Sequence, residues 1–186
     1  SPGDFVTAQV DLVMSNDAQF PGSYQALTDI GLTRVFDAEK IVVVIDHWVP
    51  ATNPAIAEMH QLMRQHVKEL GIRYFYDVGV GIEHNVVPEK GHALPGELIV
   101  GSDSHSTTYG ALGAASTGIG LTETAYAMVT GQLWFQVPPT IRFELEGTLV
   151  RGVTPKDLML ALLGEFGTQV AQDKAVEFAG PGAEGR

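Results

Sequence analysis

The sequence has no cysteine, few basic residues and no long hydrophobic run. Without thiols the chain has no disulfide, no zinc–thiolate site, no cysteine nucleophile and no cysteine ligand for an iron–sulfur cluster. Lys and Arg number 11 against 22 Asp and Glu, which gives a net charge of −11. An acidic chain repels phosphate backbones, so we expect no nucleic-acid partner. No apolar run approaches the roughly 20 residues of a membrane helix, so we expect no membrane contact.

The composition itself is typical of a folded globular protein. Hydrophobic residues make up 45% and charged residues 18% of the 186 residues, enough for one domain with a sizeable core. The opening residues lack the basic-then-apolar pattern of a signal peptide, so we expect a cytoplasmic protein. The last residues, GPGAEGR, carry no core pattern. We therefore assign residues 1–180 to one α/β domain and residues 181–186 to a linker or truncated end.

Short apolar runs alternate with amphipathic stretches, which predicts a three-layer α/β/α sandwich with a mostly parallel sheet. The run IVVVI is typical of a strand buried on both faces. After it, Asn53 and Pro54 predict the start of a helix and Gly71 its end. Thr122 and Thr154 are expected to cap two later helices. Further strands are predicted at 5–14, 72–79, 97–105 and 140–147, and further helices at 23–31, 121–135 and 154–167.

Three clusters of acid and histidine lie at or just after predicted strands: Asp46 with His47, Glu83 with His84, and Asp103 with Ser104 and His105. Ligands of open α/β sheets bind beyond the carboxyl ends of the strands, where two of these clusters lie, while the Glu83–His84 cluster is expected in the adjacent loop. A carboxylate beside a histidine raises the imidazole pKa and orients the ring, which suits a general acid. Neighbours on a strand point to opposite faces, so the carboxylate of one cluster can pair with the histidine of another.

Other interpretations of these residues stay open. A single histidine near a strand end more often has a structural role, and we interpret His60, His66 and His92 in that way. GSDSH does not match the G-x-S-x-G elbow of a serine hydrolase, and no P-loop lysine follows the glycine-rich stretch. We expect its glycines to allow close backbone packing. A metal hydrolase would use three histidines directly as ligands. The glycines expected to pack closely are Gly110, Gly113, Gly118 and Gly120. The histidines that would bind the metal are His47, His84 and His105.

Four segments, in this order, resemble the aconitase superfamily: VVVIDHWVPA, GVGIEHNVVPEKGHALPGELIVGSDSHSTTYGALGA, GIGLTETAYAMVTGQLWFQVPPTIRFELEG and GVTPKDLMLALLG. The resemblance runs from about Gly3 to Gly182 and is strongest to the isopropylmalate- and homoaconitate-type hydro-lyases of amino-acid biosynthesis. It implies the N-terminal part of an enzyme that dehydrates and rehydrates a hydroxy-di- or tricarboxylic acid. Alternatives are an aconitase- or dimethylmaleate-hydratase-type enzyme, or a non-catalytic binding domain derived from the family.

The resemblance also implies a [4Fe–4S] cluster in the complete enzyme, which this chain cannot bind through cysteine. The implied partners are the remaining cluster-binding domains and a swivelling domain or small subunit. The isolated chain is therefore expected to be inactive. By motif, Asp46 and His47 resemble the pair that protonates the leaving hydroxyl, and His84 resembles its partner, hydrogen-bonded by Asp103. Further implied roles are substrate-carboxylate binding for Ser104, hydroxyl contact for His105 and, from VMSNDAQ, a substrate-binding amide for Asn16.

Overall fold

The structure, a computed structural model, describes residues 1–182. Residues 183–186 of the predicted linker lie outside the described part. The contacts divide the chain into two compact units, one formed by residues 7–134 and the other by residues 1–6 with 135–186. The assignment of residues 1–180 to one domain stays a prediction. No helix within residues 1–182 has the length and apolar character needed to cross a membrane.

The elements alternate between strand and helix along most of the chain. They are β1 (Phe5–Gln9), β2 (Leu12–Asn16), α1 (Phe20–Asp29), β3 (Ile41–Val44), α2 (Pro54–Glu69), β4 (Tyr74–Tyr76), α3 (Glu83–Glu89), β5 (Leu98–Gly101), a 3-10 helix (Ser104–Leu112), β6 (Ala115–Gly118), α4 (Leu121–Thr130), β7 (Gln132–Gln136), β8 (Thr140–Glu144), α5 (Pro155–Phe166) and β9 (Ala175–Ala179). The strands β1 and β7 pair with each other.

The unit of residues 7–134 is built on a five-stranded sheet in the order β4-β3-β2-β5-β6. Every pair of neighbouring strands in it is parallel. The chain moves outward from β2 through β3 to β4, and then returns to the other side of β2 with β5. This reversal makes the carboxyl ends of β2 and β5 the switch point of the sheet, where α/β proteins bind their ligands.

Alternate residues of a strand point to opposite sides of the sheet, and both sides of this sheet are covered. On one face Met14, Val42 and Ile99 pack with Val87 of α3 and Tyr109 of the 3-10 helix. The residues Val13, Ile41, Val43 and Val100, which alternate with them on the strands, are fully buried as well. Helix α1 packs against α2 and α4, and α4 packs against β2. The predicted three-layer α/β/α arrangement with a parallel sheet is confirmed.

Local signals at two helix starts are confirmed by the structure. The Asn53 side chain accepts a hydrogen bond from the backbone N–H of Ile56 at 3.0 Å, and Pro54 is the first residue of α2. In the other unit, Thr154 and Asp157 form a capping box at the start of α5. There β8 and β9 pair in parallel, and the Phe143 ring stacks on Phe178 with their centroids 5.6 Å apart.

Several predicted boundaries are wrong, each for a local reason. The helix expected at 121–135 ends at Thr130, because Gly131 takes the left-handed φ of 66° and β7 follows. Its N-cap is Gly120 rather than Thr122. The strand expected at 5–14 is two strands that pair with different partners. The strand expected at 97–105 ends at Gly101, and the residues after it wind into the 3-10 helix.

Candidate active site

The predicted clusters meet at the carboxyl edge of the parallel sheet, at its switch point. Asn16 ends β2, while Asp46 and His47 follow β3. Asp103 follows β5 and caps the 3-10 helix by accepting the backbone N–H of His105. Glu83 and His84, expected in a loop, begin α3 instead. The topology thus brings together residues that lie up to 87 positions apart, such as Ser15 and Ser102, whose hydroxyl oxygens are 2.9 Å apart.

His47 lies between two carboxylates. Its Nδ1 is 2.7 Å from Asp46 Oδ1, and its Nε2 is 3.4 Å from Asp103 Oδ2. Partial burial of the ring disfavours its charge, but the hydrogen bond to Asp46 and the charges of Asp46 and Asp103 outweigh burial and raise the pKa of His47. The Asp of one cluster does therefore contact the His of another, and His47 is held ready to carry a proton.

His84 has one tautomer that satisfies its neighbours. Its Nε2 is 2.9 Å from Asp103 Oδ1, and its Nδ1 is 3.2 Å from the Tyr109 hydroxyl. An ionised carboxylate only accepts, so Nε2 carries the proton and Nδ1 accepts from the Tyr109 hydroxyl. Burial raises the pKa of the Tyr109 phenol, which keeps that donor protonated. The expected contact between His84 and Asp103 is present.

Asp103 is the shared acceptor of the site. Its Oδ1 accepts the backbone N–H of His105 at 2.7 Å and lies 3.2 Å from His105 Nδ1. Burial alone would raise the pKa of this carboxyl. The hydrogen bonds from the His105 backbone and from the imidazoles of His84 and His105 outweigh burial and lower the pKa to about 2. Asp103 is therefore ionised at neutral pH, with three histidines around it.

Ser104 and His105 form the outer rim of the cluster. The His105 side chain is 80% exposed, and its Nδ1 lies 3.3 Å from the Ser104 hydroxyl. Ser104 is exposed as well. A shallow depression of about 400 Å³ adjoins Ser104 and is lined also by Thr107, Thr117 and residues 118–120. The rim therefore offers hydroxyl and imidazole groups to solvent.

Asn16 and Glu83 lie beneath the histidines and are fully buried. The Asn16 amide donates to Glu83 Oε1 at 3.1 Å, and its own oxygen accepts the backbone N–H groups of Ala18 and Gln19. The Asn16 side chain is thus committed to the protein, and its assignment to substrate stays a prediction. Glu83 Oε1 is also 3.4 Å from His84 Nε2.

Glu83 is a site residue that sequence reasoning named in a cluster but left out of the candidate set. Its Oε2 has no hydrogen-bond partner among residues 1–182. Burial raises its pKa to about 8, with smaller and opposing contributions from the Asn16 hydrogen bond and the charges around it. Glu83 therefore holds a proton at neutral pH. The acid next to His84 was the available signal, but only the fold reveals its burial.

The glycines after Asp103 have the role expected of them at some positions. A Cβ on Gly118 would lie 2.6 Å from the Asp103 carbonyl oxygen and 3.0 Å from Ser104 Cα. Gly113 ends the 3-10 helix with a left-handed φ of 81°. At Gly110 the expectation of close packing is wrong, because a Cβ there would meet nothing within 4 Å. Gly118 is the glycine that lets β6 pass against the Asp103–His105 segment.

Three sets of side chains would each place their ligand atoms within 4.8 Å of one another, as a metal ion requires: His84, Asp103 and His105; Asp17, Asp46 and His47; and His47, Glu83 and Asp103. Several of their histidine nitrogens are already paired with carboxylates of the same sets, whereas Glu83 Oε2 has no hydrogen-bond partner within residues 1–182. An iron–sulfur cluster does not fit these residues, because its irons bind thiolates and the sequence has no cysteine.

Comparison with known proteins gives the class of this fold and site. The profile of the aconitase family (aconitate hydratase) matches residues 3–185, and the chain belongs to that family. It is 49% identical over 178 residues to the 3-isopropylmalate dehydratase large subunit 1 of Methanopyrus kandleri, a match that covers 96% of this chain and 43% of the relative. It is 45% identical over 179 residues to the 3-isopropylmalate dehydratase large subunit of Aquifex aeolicus, with 96% and 41% covered. The chain thus spans less than half the length of these curated relatives.

Proposed function

We propose that this chain supplies the acid–base residues of a hydro-lyase that dehydrates and rehydrates a hydroxy-di- or tricarboxylic acid of the isopropylmalate or homoaconitate type. The family and the dehydratase relatives support the reaction class. The observation that carries the proposal is the convergence of His47, His84 and His105 on the carboxylate of Asp103. Such an array orients each ring toward Asp103 and leaves His105 exposed at one edge.

His47 is the proton donor in this proposal. Loss of a hydroxyl from a carbon is feasible in water when the oxygen leaves as water, which requires a proton donor at that oxygen. The raised pKa favours the protonated form of His47, and its side chain is 36% exposed. The 3.4 Å separation of its Nε2 from Asp103 is long for a hydrogen bond, so this N–H can turn to an incoming hydroxyl. In the hydration direction the same nitrogen takes the proton back.

The neighbouring groups hold that proton in place. Asp46 orients the ring from the Nδ1 side, and its other oxygen accepts the backbone N–H of Glu83 at 2.6 Å. His84, fixed as the Nε2–H tautomer, steadies Asp103. The exposed Ser104 and His105 are proposed to bind the carboxylate and the hydroxyl of the substrate. Asn16 acts indirectly in this arrangement, by holding Glu83.

Other steps of the reaction belong to groups that this chain does not supply. The [4Fe–4S] cluster proposed for the complete enzyme is held elsewhere, because no residue here is a thiol. Its proposed partners are the cluster-binding domains and a swivelling domain or small subunit. We propose that the isolated chain is inactive and that the complete protein is cytoplasmic.

The test is turnover of the complete protein, assembled with its partners under anaerobic conditions, with isopropylmalate, homocitrate, citrate and dimethylmalate as substrates. We expect His47→Ala to lower turnover by about 100-fold or more, the usual contribution of a general acid. The matched control is His66→Ala, because His66 of α2 stacks on Tyr24 of α1 rather than on a residue of the cluster, and the turnover of this variant should match the wild type. Equal activity in both variants would refute the role of His47.

Two further measurements separate the alternatives. Turnover by the isolated chain would contradict its proposed inactivity. A stoichiometric metal lost on substitution of His47, His84 or His105 would favour the metal hydrolase. Ligand binding by the complete protein without turnover of any of the four acids would favour the non-catalytic binding domain.

A further inference from the structure

Asp17 is a fully buried carboxylate that lies directly after β2. Its Oδ1 accepts the backbone N–H groups of Asp46 at 3.1 Å and His47 at 2.9 Å. Its Oδ2 accepts the backbone N–H of Trp48 at 2.9 Å. Three consecutive peptide groups therefore converge on one side chain, and the turn that carries the acid–base pair is folded around Asp17.

His60 supplies the fourth hydrogen bond to this carboxylate. Its Nε2 is 3.0 Å from Asp17 Oδ2, and the residue is 3% exposed on the inner side of α2. A carboxylate offers about four acceptor positions, so His60 completes the set. Burial would raise the pKa of Asp17, but the donors from His47, Trp48, His60 and Asp46 outweigh it and lower that pKa. The lowered pKa favours the ionised form of this buried carboxyl.

Losing the His60 donor would leave one position of a buried anion unpaired. That cost is relieved only when the carboxylate moves to find water or another donor. Any such movement is transmitted to the backbone of Asp46 and His47, because their N–H groups hold the other oxygen. The 2.7 Å contact between Asp46 Oδ1 and His47 Nδ1 depends on that backbone.

We propose that His60 is a positioning residue, which acts through Asp17 to set the geometry of the Asp46–His47 pair. What this pair does chemically rests on the proposed function, but the geometric role does not. His60 and Asp17 were not among the candidate site residues, and His60 was interpreted as structural. A positioning role differs from a structural role in one measurable way, because a structural histidine stabilises the fold without altering the pKa of His47.

Arg64, one turn after His60 on helix α2, offers a matched control. Arg64 donates through Nε and one terminal nitrogen to the carboxylate of Asp77, both at 2.7 Å. This pair also ties α2 to the end of a strand, because Asp77 follows β4. No hydrogen bond or ion pair within residues 1–182 joins this pair to Asp17, although Asp77 interacts electrostatically with His60. Arg64→Met therefore removes a helix-to-strand tie of the same kind but keeps the four hydrogen bonds to Asp17.

The experiment is a pH titration of the His47 ring by NMR in the complete protein, with histidine labelled at Cε1 and His47 assigned from His47→Gln. We expect His60→Leu to lower the His47 pKa by about half a unit or more, because a loosened Asp46 contact leaves burial dominant. His60→Gln should retain the wild-type value, since its amide reaches the place of Nε2. Arg64→Met should retain it as well.

The proposal is overturned by a wild-type His47 pKa in His60→Leu, or by an equal shift in His60→Gln. If the Leu variant does not fold, His60→Asn takes its place, because that amide stops near Nδ1 and short of Asp17. The NMR readout needs no turnover, so it stands apart from the proposed function. A shifted His47 pKa with an unchanged pH profile of kcat would support the positioning role and refute the role of His47 as proton donor.

Discussion

The inner and outer parts of the site differ in how their polar groups are satisfied. In the inner part, His47 and His84 have both ring nitrogens directed at groups of the same chain. In the outer part, the His105 side chain is 80% exposed. Inner groups are oriented by the fold before anything binds. The outer groups have capacity left for a molecule or a surface that comes from outside the chain.

This difference predicts which substitutions lower both stability and turnover and which lower turnover alone. Substitution of an inner residue removes a partner from other buried groups, so both stability and turnover should fall. Substitution of an outer residue should affect turnover alone. Substitutions of Asp103, Glu83, Gly118 and His105 test that division, in order of decreasing expected effect on stability.

Asp103→Ala should have the largest effect, because three histidines lose their common acceptor. We expect a loss of about 3–5 kcal/mol in unfolding free energy, typical of a buried ion pair that loses one partner. Turnover of the complete protein should fall by about 100-fold or more. Urea denaturation and steady-state kinetics measure the two effects. The exposed Asp29, changed to Asn, is the control, and a similar stability for both variants would contradict the shared-acceptor role.

Glu83→Gln should flatten the dependence of stability on pH. The folded-state pKa of about 8 lies above the ordinary value of 4.5. The stabilisation from this carboxyl is therefore fully present below pH 4.5 and is lost as pH rises through about 8. Each unit between the two pKa values corresponds to about 1.4 kcal/mol, so the wild type should lose a few kcal/mol across this interval.

Urea denaturation at several pH values from 5 to 8 tests this prediction. Gln cannot ionise, so the stability of Glu83→Gln should change less over that interval than the stability of the wild type. Parallel curves would show that Glu83 is already ionised in the folded protein. Asp103 should give the opposite sign, because its lowered pKa stabilises the fold above pH 3.8 and this contribution is lost as pH falls through about 2.

Gly118→Ala should destabilise the fold by about 1–3 kcal/mol, the usual cost of overpacking. Its Cβ would press on the backbone of Asp103 and Ser104, which joins the inner part to the outer part. Gly110→Ala is the matched control, since its Cβ would meet open space in the same glycine-rich stretch. Thermal denaturation of both variants gives the comparison. Equal melting temperatures would show that β6 can shift away from the Asp103 segment.

His105→Ala should have the smallest effect on stability, within about 0.5 kcal/mol, as for most exposed residues. Turnover of the complete protein should nevertheless fall strongly, because the exposed ring is proposed to contact substrate. Denaturation curves and kinetics of the same preparation decide between the outcomes. A stability loss as large as that of Asp103→Ala would end the division into inner and outer parts.

Local sequence signals account for much of the fold. The IVVVI run predicted a strand buried on both faces, and Asn53 with Pro54 predicted the start of α2, as observed. Signals that depend on a partner element were less informative. The 3-10 helix after Asp103 is stabilised by its contacts with neighbouring elements rather than by helix propensity. Helix α4 ends before Gly131, although the apolar sequence pattern continues beyond that residue.

The proximity of the candidate residues was predictable, while their roles stay predictions. Strand-end positions indicated Asp46, His47 and Asp103, the adjacent loop and the family resemblance indicated His84, and the fold places these four in contact. Burial of Glu83 depends on which elements cover it, which no single segment encodes. The Asp17–His60 contact joins positions 43 apart, and nothing in either segment marks the other.

The hydrogen bonds around Asp17 have a consequence for protein design. A designer who transplanted the VIDHW segment onto another parallel sheet would move the acid and the imidazole but leave behind the anion that their peptide groups surround. The minimal portable unit therefore has three separate pieces: the end of the central strand with Asp17, the Asp46–Trp48 turn, and the helical position of His60. A scaffold would have to accept all three at once for the pair to keep its orientation.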